Sequence, residues 1–196
     1  MAVYHPHIVH FAIALVFVGV GFRLLTFYRR LAFLDTAATA LILLGTAASF
    51  LAVQSGDAAH GPVERMPGAR PAVVEHEEWG NRARNIFAIV SVLELAVVAL
   101  RRRQHRLTFA VSVVAAVVGV VGLGAMYEAA EHGGELVYSY AGGVGTRTGD
   151  PEDVNRLFLA GIYQQALQDR EEGRGDAAMA LLELGANRLT SNLELQ

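Results

Sequence analysis

Residues 8–28 read IVHFAIALVFVGVGFRLLTFY, twenty-one residues interrupted by a single charge, Arg23. A helix of about 20 apolar residues spans the hydrocarbon core of a bilayer. Three further stretches repeat the pattern. Phe33 to Val53 carries Asp35 near its start, Ile86 to Leu100 carries Glu94, and Leu107 to Met126 carries no charge. Strand alternation is absent, and an isolated strand cannot satisfy its backbone in lipid. The expected fold class is therefore an all-α integral membrane protein, a four-transmembrane-helix bundle. The expected helices cover about 8–28, 33–53, 72–100 and 107–130.

Composition agrees. The chain is 53% hydrophobic and only 18% charged, too apolar for an ordinary soluble domain. It has no cysteine, so thiolate metal sites, iron–sulfur clusters and cysteine nucleophiles are excluded. All 16 basic residues are arginine, which removes Schiff-base lysine chemistry. The net charge of −3 gives no nucleic-acid signal. No phosphate-binding glycine loop and no nucleophile elbow occur, and no enzyme is expected.

Arginine bias sets the expected orientation. Arg29 and Arg30 lie between the first two segments, and RRRQHR (101–106) fills the turn between the last two. Both turns should face the cytoplasm. The N-terminus, a loop from about Gln54 to Arg84 and the C-terminal tail then face the periplasm. The first segment lacks a basic n-region and a convincing cleavage site, so it reads as a retained helix.

The boundary falls near residue 145, with 1–145 as the membrane domain and 146–196 as a periplasmic amphipathic hairpin. The glycine-rich HGGELVYSYAGGVGTRTGD before it suggests an interfacial stretch or short hairpin. Asp150-Pro151-Glu152-Asp153 has the composition of a helix start. EEGRGD then breaks the chain, and Asp176 is placed to cap a second helix running to about Leu189. The pair resembles a single tetratricopeptide-type helix hairpin, which is not normally stable alone. Leu157, Ile162, Tyr163, Leu181 and Leu184 are its candidate partner-binding residues.

Six of the seven histidines fall on the outer side: His5, His7, His10, His60, His76 and His132, with His105 in the cytoplasmic turn. Glu128 and His132 are four residues apart and share a helix face. His76, Gly80, Ala83 and Phe87 form one stripe, the small pair allowing close helix approach. A layer of His10, His76, His132 and Glu128 is geometrically accessible. Imidazole with carboxylate suits a first-row divalent metal, and two imidazoles suit a b-type haem. Histidines at helix ends also simply hydrogen-bond carbonyls and headgroups, and this structural role is the leading expectation. Arg23 and Glu94 lie inside the bilayer and are expected to pair, fixing helix register rather than relaying protons. Gly119, Gly122 and Gly124 read as helix-packing positions.

The blocks HPHIVHF, SGDAAH, EHEEWGNRARNIF and HGGELVY, in this order, resemble the bacterial membrane-protein family Domain of Unknown Function 2231, over about residues 4–145. The resemblance implies a four-helix membrane domain with no established activity. It marks His5, His10, His76 and His132 as motif histidines, in a pattern that invites comparison with diheme b-type cytochromes. Members commonly read LVYxHG after the glycines, whereas this chain has LVYSYAGG, with Tyr140-Ala141 at that place.

Two functions follow as expectations. The first is a non-catalytic accessory subunit of a larger respiratory or photosynthetic membrane assembly, with the lipid bilayer and other membrane subunits as partners. The second is a membrane redox protein holding haem b or a divalent metal on the histidines. A small proton path through Arg23 and Glu94 ranks below both, since four helices without internal repeat make a poor transporter. The expected location is the bacterial inner membrane, with both termini periplasmic.

Overall fold

The computed structural model describes residues 1–28, 31–142 and 152–188. A short 3₁₀ turn, Ala2–Tyr4, leads into α1 (His5–Tyr28). There follow α2 (Ala32–Glu64), α3 (Arg70–Arg102), α4 (Thr108–Tyr138), α5 (Glu152–Glu171) and α6 (Gly175–Arg188), with no strand among the described residues. The chain divides into two units, Met1–Gly142 and Gly143–Gln196.

In the first unit, α1 to α4 are all long and apolar enough to cross a membrane. Their outward surface is as greasy as their interior: Phe11, Val92, Phe109, Val117 and Val121 are all exposed. A helix apolar on every side belongs in lipid. The inward face of α1 is a narrow stripe of Ala12, Val16, Gly19, Val20 and Arg23, spaced at three and four residues. It meets a core of Ile42, Ala83, Phe87, Val90, Ala125 and Met126.

Helix α1 packs on α2 through paired glycines. A Cβ on Gly19 would lie 3.0 Å from the Ile42 backbone nitrogen, and one on Gly45 would lie 3.0 Å from that of Val16. The backbones therefore touch without intervening side chains. Gly119 sits against Val20, and Gly122 against Ile86 and Phe87. Gly124 and Gly80 meet nothing, so neither serves the packing role expected of it.

Two boundaries differ from expectation. Helix α2 runs eleven residues past Val53, so the outer loop shrinks to a turn after Glu64, with Gly68 at φ +81°. Helix α4 continues through HGGELVY to Tyr138, so this part forms no hairpin, and residues 143–150 of the glycine-rich stretch lie outside the described residues. Helices of 31 to 33 residues are about 47–50 Å long and outreach a hydrocarbon core of about 30 Å. Their surplus forms a polar collar on the end opposite the α3–α4 turn. It is closed by Val63, Ala72, Val73 and Leu136, with Tyr140 packed against them.

In the second unit, α5 and α6 pack as a hairpin through Ile162, Ala166 and Ala178. The turn carries Gly173 at φ +78°, a left-handed conformation that glycine adopts without strain. Asp176 lies in the first turn of α6 rather than capping it, since the helix already starts at Gly175. Asp150, Pro151 and Leu189 lie outside the described residues.

Candidate functional site

Two polar clusters sit at opposite ends of the bundle. Near the α3–α4 turn, Arg23 of α1 is 1% exposed and Glu94 of α3 is fully buried. Arg23 Nε donates to Glu94 Oε1 at 2.8 Å, and Nη2 donates to Glu94 Oε2. The pair is bidentate, the geometry in which a guanidinium binds a carboxylate best. Nη1 donates to Asp35 Oδ1 at 2.7 Å and Nη2 to Thr39 Oγ1 at 3.1 Å. Thr39 in turn donates to Glu94 Oε2 at 2.7 Å. Asp35 also accepts from Arg101 Nη2 at 2.7 Å. Two guanidinia thus meet two carboxylates and the charge sums to zero. The residues come from α1, α2 and α3, so the network fixes the rotation and register of three helices at once.

The sequence singled out Arg23 and Glu94, and the structure brings them together. The roles of Thr39 and Arg101 were not anticipated, nor was that of Asp35 as the bridge between two arginines. The signal was present: Asp35 and Thr39 are four residues apart on one face of an apolar span. Midway along the bundle a second crossing joins α2 and α3. Ser91 Oγ donates to Thr46 Oγ1 at 2.8 Å, which donates to the Phe87 carbonyl at 3.2 Å.

The collar holds the histidines. His5 Nδ1 lies 3.0 Å from the Ala52 carbonyl and 2.9 Å from Ser55 Oγ. Ser55 Oγ itself donates to that carbonyl at 2.9 Å. A carbonyl only accepts, so His5 carries its proton on Nδ1. His76 does the same, with Nδ1 donating to the Ala129 carbonyl at 2.9 Å. The two rings meet edge to face with centroids 6.2 Å apart. Each rests on a glycine: a Cβ on Gly56 would lie 3.2 Å from His5 Cε1, and one on Gly133 would lie 2.9 Å from His76 Cε1. These contacts tie α1 to α2 and α3 to α4.

The expected layer of His10, His76, His132 and Glu128 is not assembled. His10 is exposed and bonds the Pro6 carbonyl of its own helix. His5 and His10 are five residues apart, about 140° around a helix, so both cannot point inward. His132 Nδ1 lies 3.6 Å from both Glu75 and Glu135. Glu128 instead lines an open groove of about 550 Å³ between α3 and α4, with Trp79, Arg82 and Gly124. Among the described residues no three His, Asp or Glu side chains converge as a metal-binding group. His60 Nδ1 lies 3.4 Å from Glu77, across the α2–α3 interface. His60 Nε2 and His132 Nδ1 are buried without a hydrogen-bond partner among the described residues.

In the hairpin, Ile162 is buried against α6, so it is a packing residue rather than a partner contact. Leu157, Tyr163 and Leu184 are exposed and Leu181 half-buried. The hydrogen bond from Arg174, followed by that from Gln165, holds the Asp169 carboxyl below the ordinary carboxylate range. The same contact raises the Arg174 guanidinium.

No curated protein and no solved structure matches the chain. A family model does, over residues 3–146, with four apolar helices inside the matched region. The chain belongs to the family described as predicted membrane protein (DUF2231).

Proposed function

We propose that this protein is a non-catalytic accessory subunit of a larger membrane assembly of the respiratory or photosynthetic electron-transfer kind. The observation that carries the reading is the hairpin. Among its described residues the only buried apolar side chains are Ile162, Ala166 and Ala178, while Val154, Leu157, Tyr163, Met179 and Leu184 are 44–57% exposed. A two-helix unit that leaves this much apolar surface uncovered is stabilised by docking on something else. The bundle supports the same reading. Its buried charges are mutually satisfied, Arg23 by Glu94 and Asp35, and Glu94 also by Thr39.

The arginines of the α3–α4 turn, and Arg29 and Arg30 in the α1–α2 connection, favour a cytoplasmic position for that end in a bacterial inner membrane. Both termini are then periplasmic. The second reading, a haem- or metal-binding redox protein, narrows to His5 and His76, whose rings alone of the motif set meet.

The test is purification of tagged protein from native membranes in a gentle detergent, with an absorption spectrum of the same sample. Stoichiometric co-purification of integral redox subunits is expected, reduced by Leu157→Glu with Leu184→Glu. A lone monomer would overturn the assembly reading. A haem band that follows the isolated chain and disappears in His76→Ala would favour the second reading instead.

A further inference from the structure

We propose that the α3–α4 turn is a binding site for the phosphate headgroup of an anionic phospholipid. The site is independent of any partner subunit. Arg102, Arg103 and Arg106 are exposed and meet no carboxylate among the described residues. The nearby acid, Asp35, is already shared by Arg23 and Arg101. Three guanidinia at one membrane-facing turn therefore carry uncompensated charge, and a guanidinium recognises phosphate through paired N–H donors.

The turn is held by its own hydrogen bonds. The amides of Arg103 and His105 both donate to the Leu100 carbonyl, at 3.2 and 3.0 Å, and that of Gln104 donates to Arg101 at 3.0 Å. Gln104 takes a left-handed backbone, φ +51°, which folds the chain back at once. The Leu107 amide donates to His105 Nδ1 at 3.1 Å, and Thr108 Oγ1 closes on the His105 carbonyl at 2.6 Å. A preorganised turn loses little conformational freedom on binding.

The surface beside the turn selects a lipid over a free anion. Leu107 and Phe109 are exposed just beyond the arginines, and Phe109 stacks edge to face on Phe27 of α1 with centroids 5.9 Å apart. Acyl chains lie along this apolar lane when the phosphate sits on the arginines. Arginine stems snorkel from such a surface while their heads stay at headgroup depth.

The experiment titrates the delipidated full chain in detergent and counts bound ligand by native mass spectrometry. The ligands are phosphatidylglycerol, phosphatidylcholine and inorganic phosphate. A basic residue at an anionic surface is worth roughly fivefold in affinity, so three are worth roughly a hundredfold. Phosphatidylglycerol should bind at least tenfold more tightly than the other two, and more weakly as salt rises. Replacing Arg102, Arg103 and Arg106 by Gln should cost roughly a hundredfold, with helicity retained. Arg103→Gln alone should cost roughly fivefold, which serves if the triple variant does not fold. Removing Arg70, Arg82 and Arg84 from the other half of the bundle should change nothing. Equal affinity of the variants and the parent, or equal binding of phosphate and phosphatidylglycerol, would overturn the proposal.

Discussion

Glu94→Ala is the sharpest test of the buried charge network. The substitution removes an acceptor of three hydrogen bonds, two from Arg23 and one from Thr39. It leaves Arg23, 1% exposed, with Asp35 as its remaining counter-charge. Breaking a buried ion pair by removing one partner costs about 3–5 kcal/mol. Asp35 still neutralises part of the guanidinium, so the expected loss lies at the lower end, about 3 kcal/mol. Replacing both partners by apolar residues, Arg23→Met with Glu94→Leu, removes the uncompensated charge as well as the pair. It should come within about 1 kcal/mol of the parent, as buried pairs exchanged for packed apolar side chains often do. The assay is equilibrium unfolding in mixed micelles at rising dodecyl sulfate fraction, read by the fluorescence of Trp79. With Glu94→Leu and Arg23→Met as the single variants, each expected to lose about 3 kcal/mol, and the double variant within about 1 kcal/mol of the parent, the double-mutant cycle yields a coupling energy of about 5 kcal/mol. A Glu94→Ala loss under about 1 kcal/mol, or a double variant as unstable as the sum of the singles, refutes a register-fixing role.

Glycine substitutions should separate packed from open positions in the same assay. Gly45→Ala places a Cβ 2.6 Å from Val16 Cγ1 and 3.0 Å from the Val16 nitrogen, which forces α1 from α2 at about 1–3 kcal/mol. Gly21→Ala meets nothing within 4 Å and should be neutral or stabilise by up to about 1 kcal/mol; equal effects at both would refute the backbone contact. In the hairpin, the Asp169 carboxyl is held low by Arg174, so its contribution is fully present above the unfolded value of about 3.9 and is lost as pH falls through the folded value. Amide exchange in the α5–α6 turn should accelerate over that acid range relative to the rest of α5, and Asp169→Asn should abolish the pH-dependent part.

Four apolar runs were enough to read the number and class of the helices, because lipid leaves the backbone no alternative. Their lengths were less legible. Hydropathy reports only the hydrocarbon layer, and SGDAAHGPVE beyond it looks like a loop. That segment is helical because neighbours hold it, with Gly56 under the His5 ring and Val63 in the collar cluster. The Arg23–Glu94 pairing was legible because an unpaired charge in lipid is so costly. Arg101 was not, since its meeting with Asp35 depends on the relative register of α2 and α3. Which histidines share a layer was not legible for a rotational reason: spacing along one helix says which residues share a face, but not which face turns inward.

The two ends of the bundle solve one problem by different chemistry. Near the α3–α4 turn, polarity is buried as full charge, and the buried charges are matched: Arg23 against Glu94 and Asp35, with the exposed Arg101 also on Asp35. In the collar it is buried as imidazole hydrogen-bonded to carbonyls and resting on glycine, where the helices outreach the hydrocarbon. The charged end has no spare valence, so a ligand there must use the exposed arginines beyond it. The collar does have spare valence. Among the described residues, His60 Nε2 and His132 Nδ1 are enclosed without a hydrogen bond, His132 with carboxylates 3.6 Å away on two helices. Buried polar atoms are rarely left unpaired. A water or another polar group entering from outside would complete them, which makes the collar the part of the bundle with hydrogen-bonding capacity to spare.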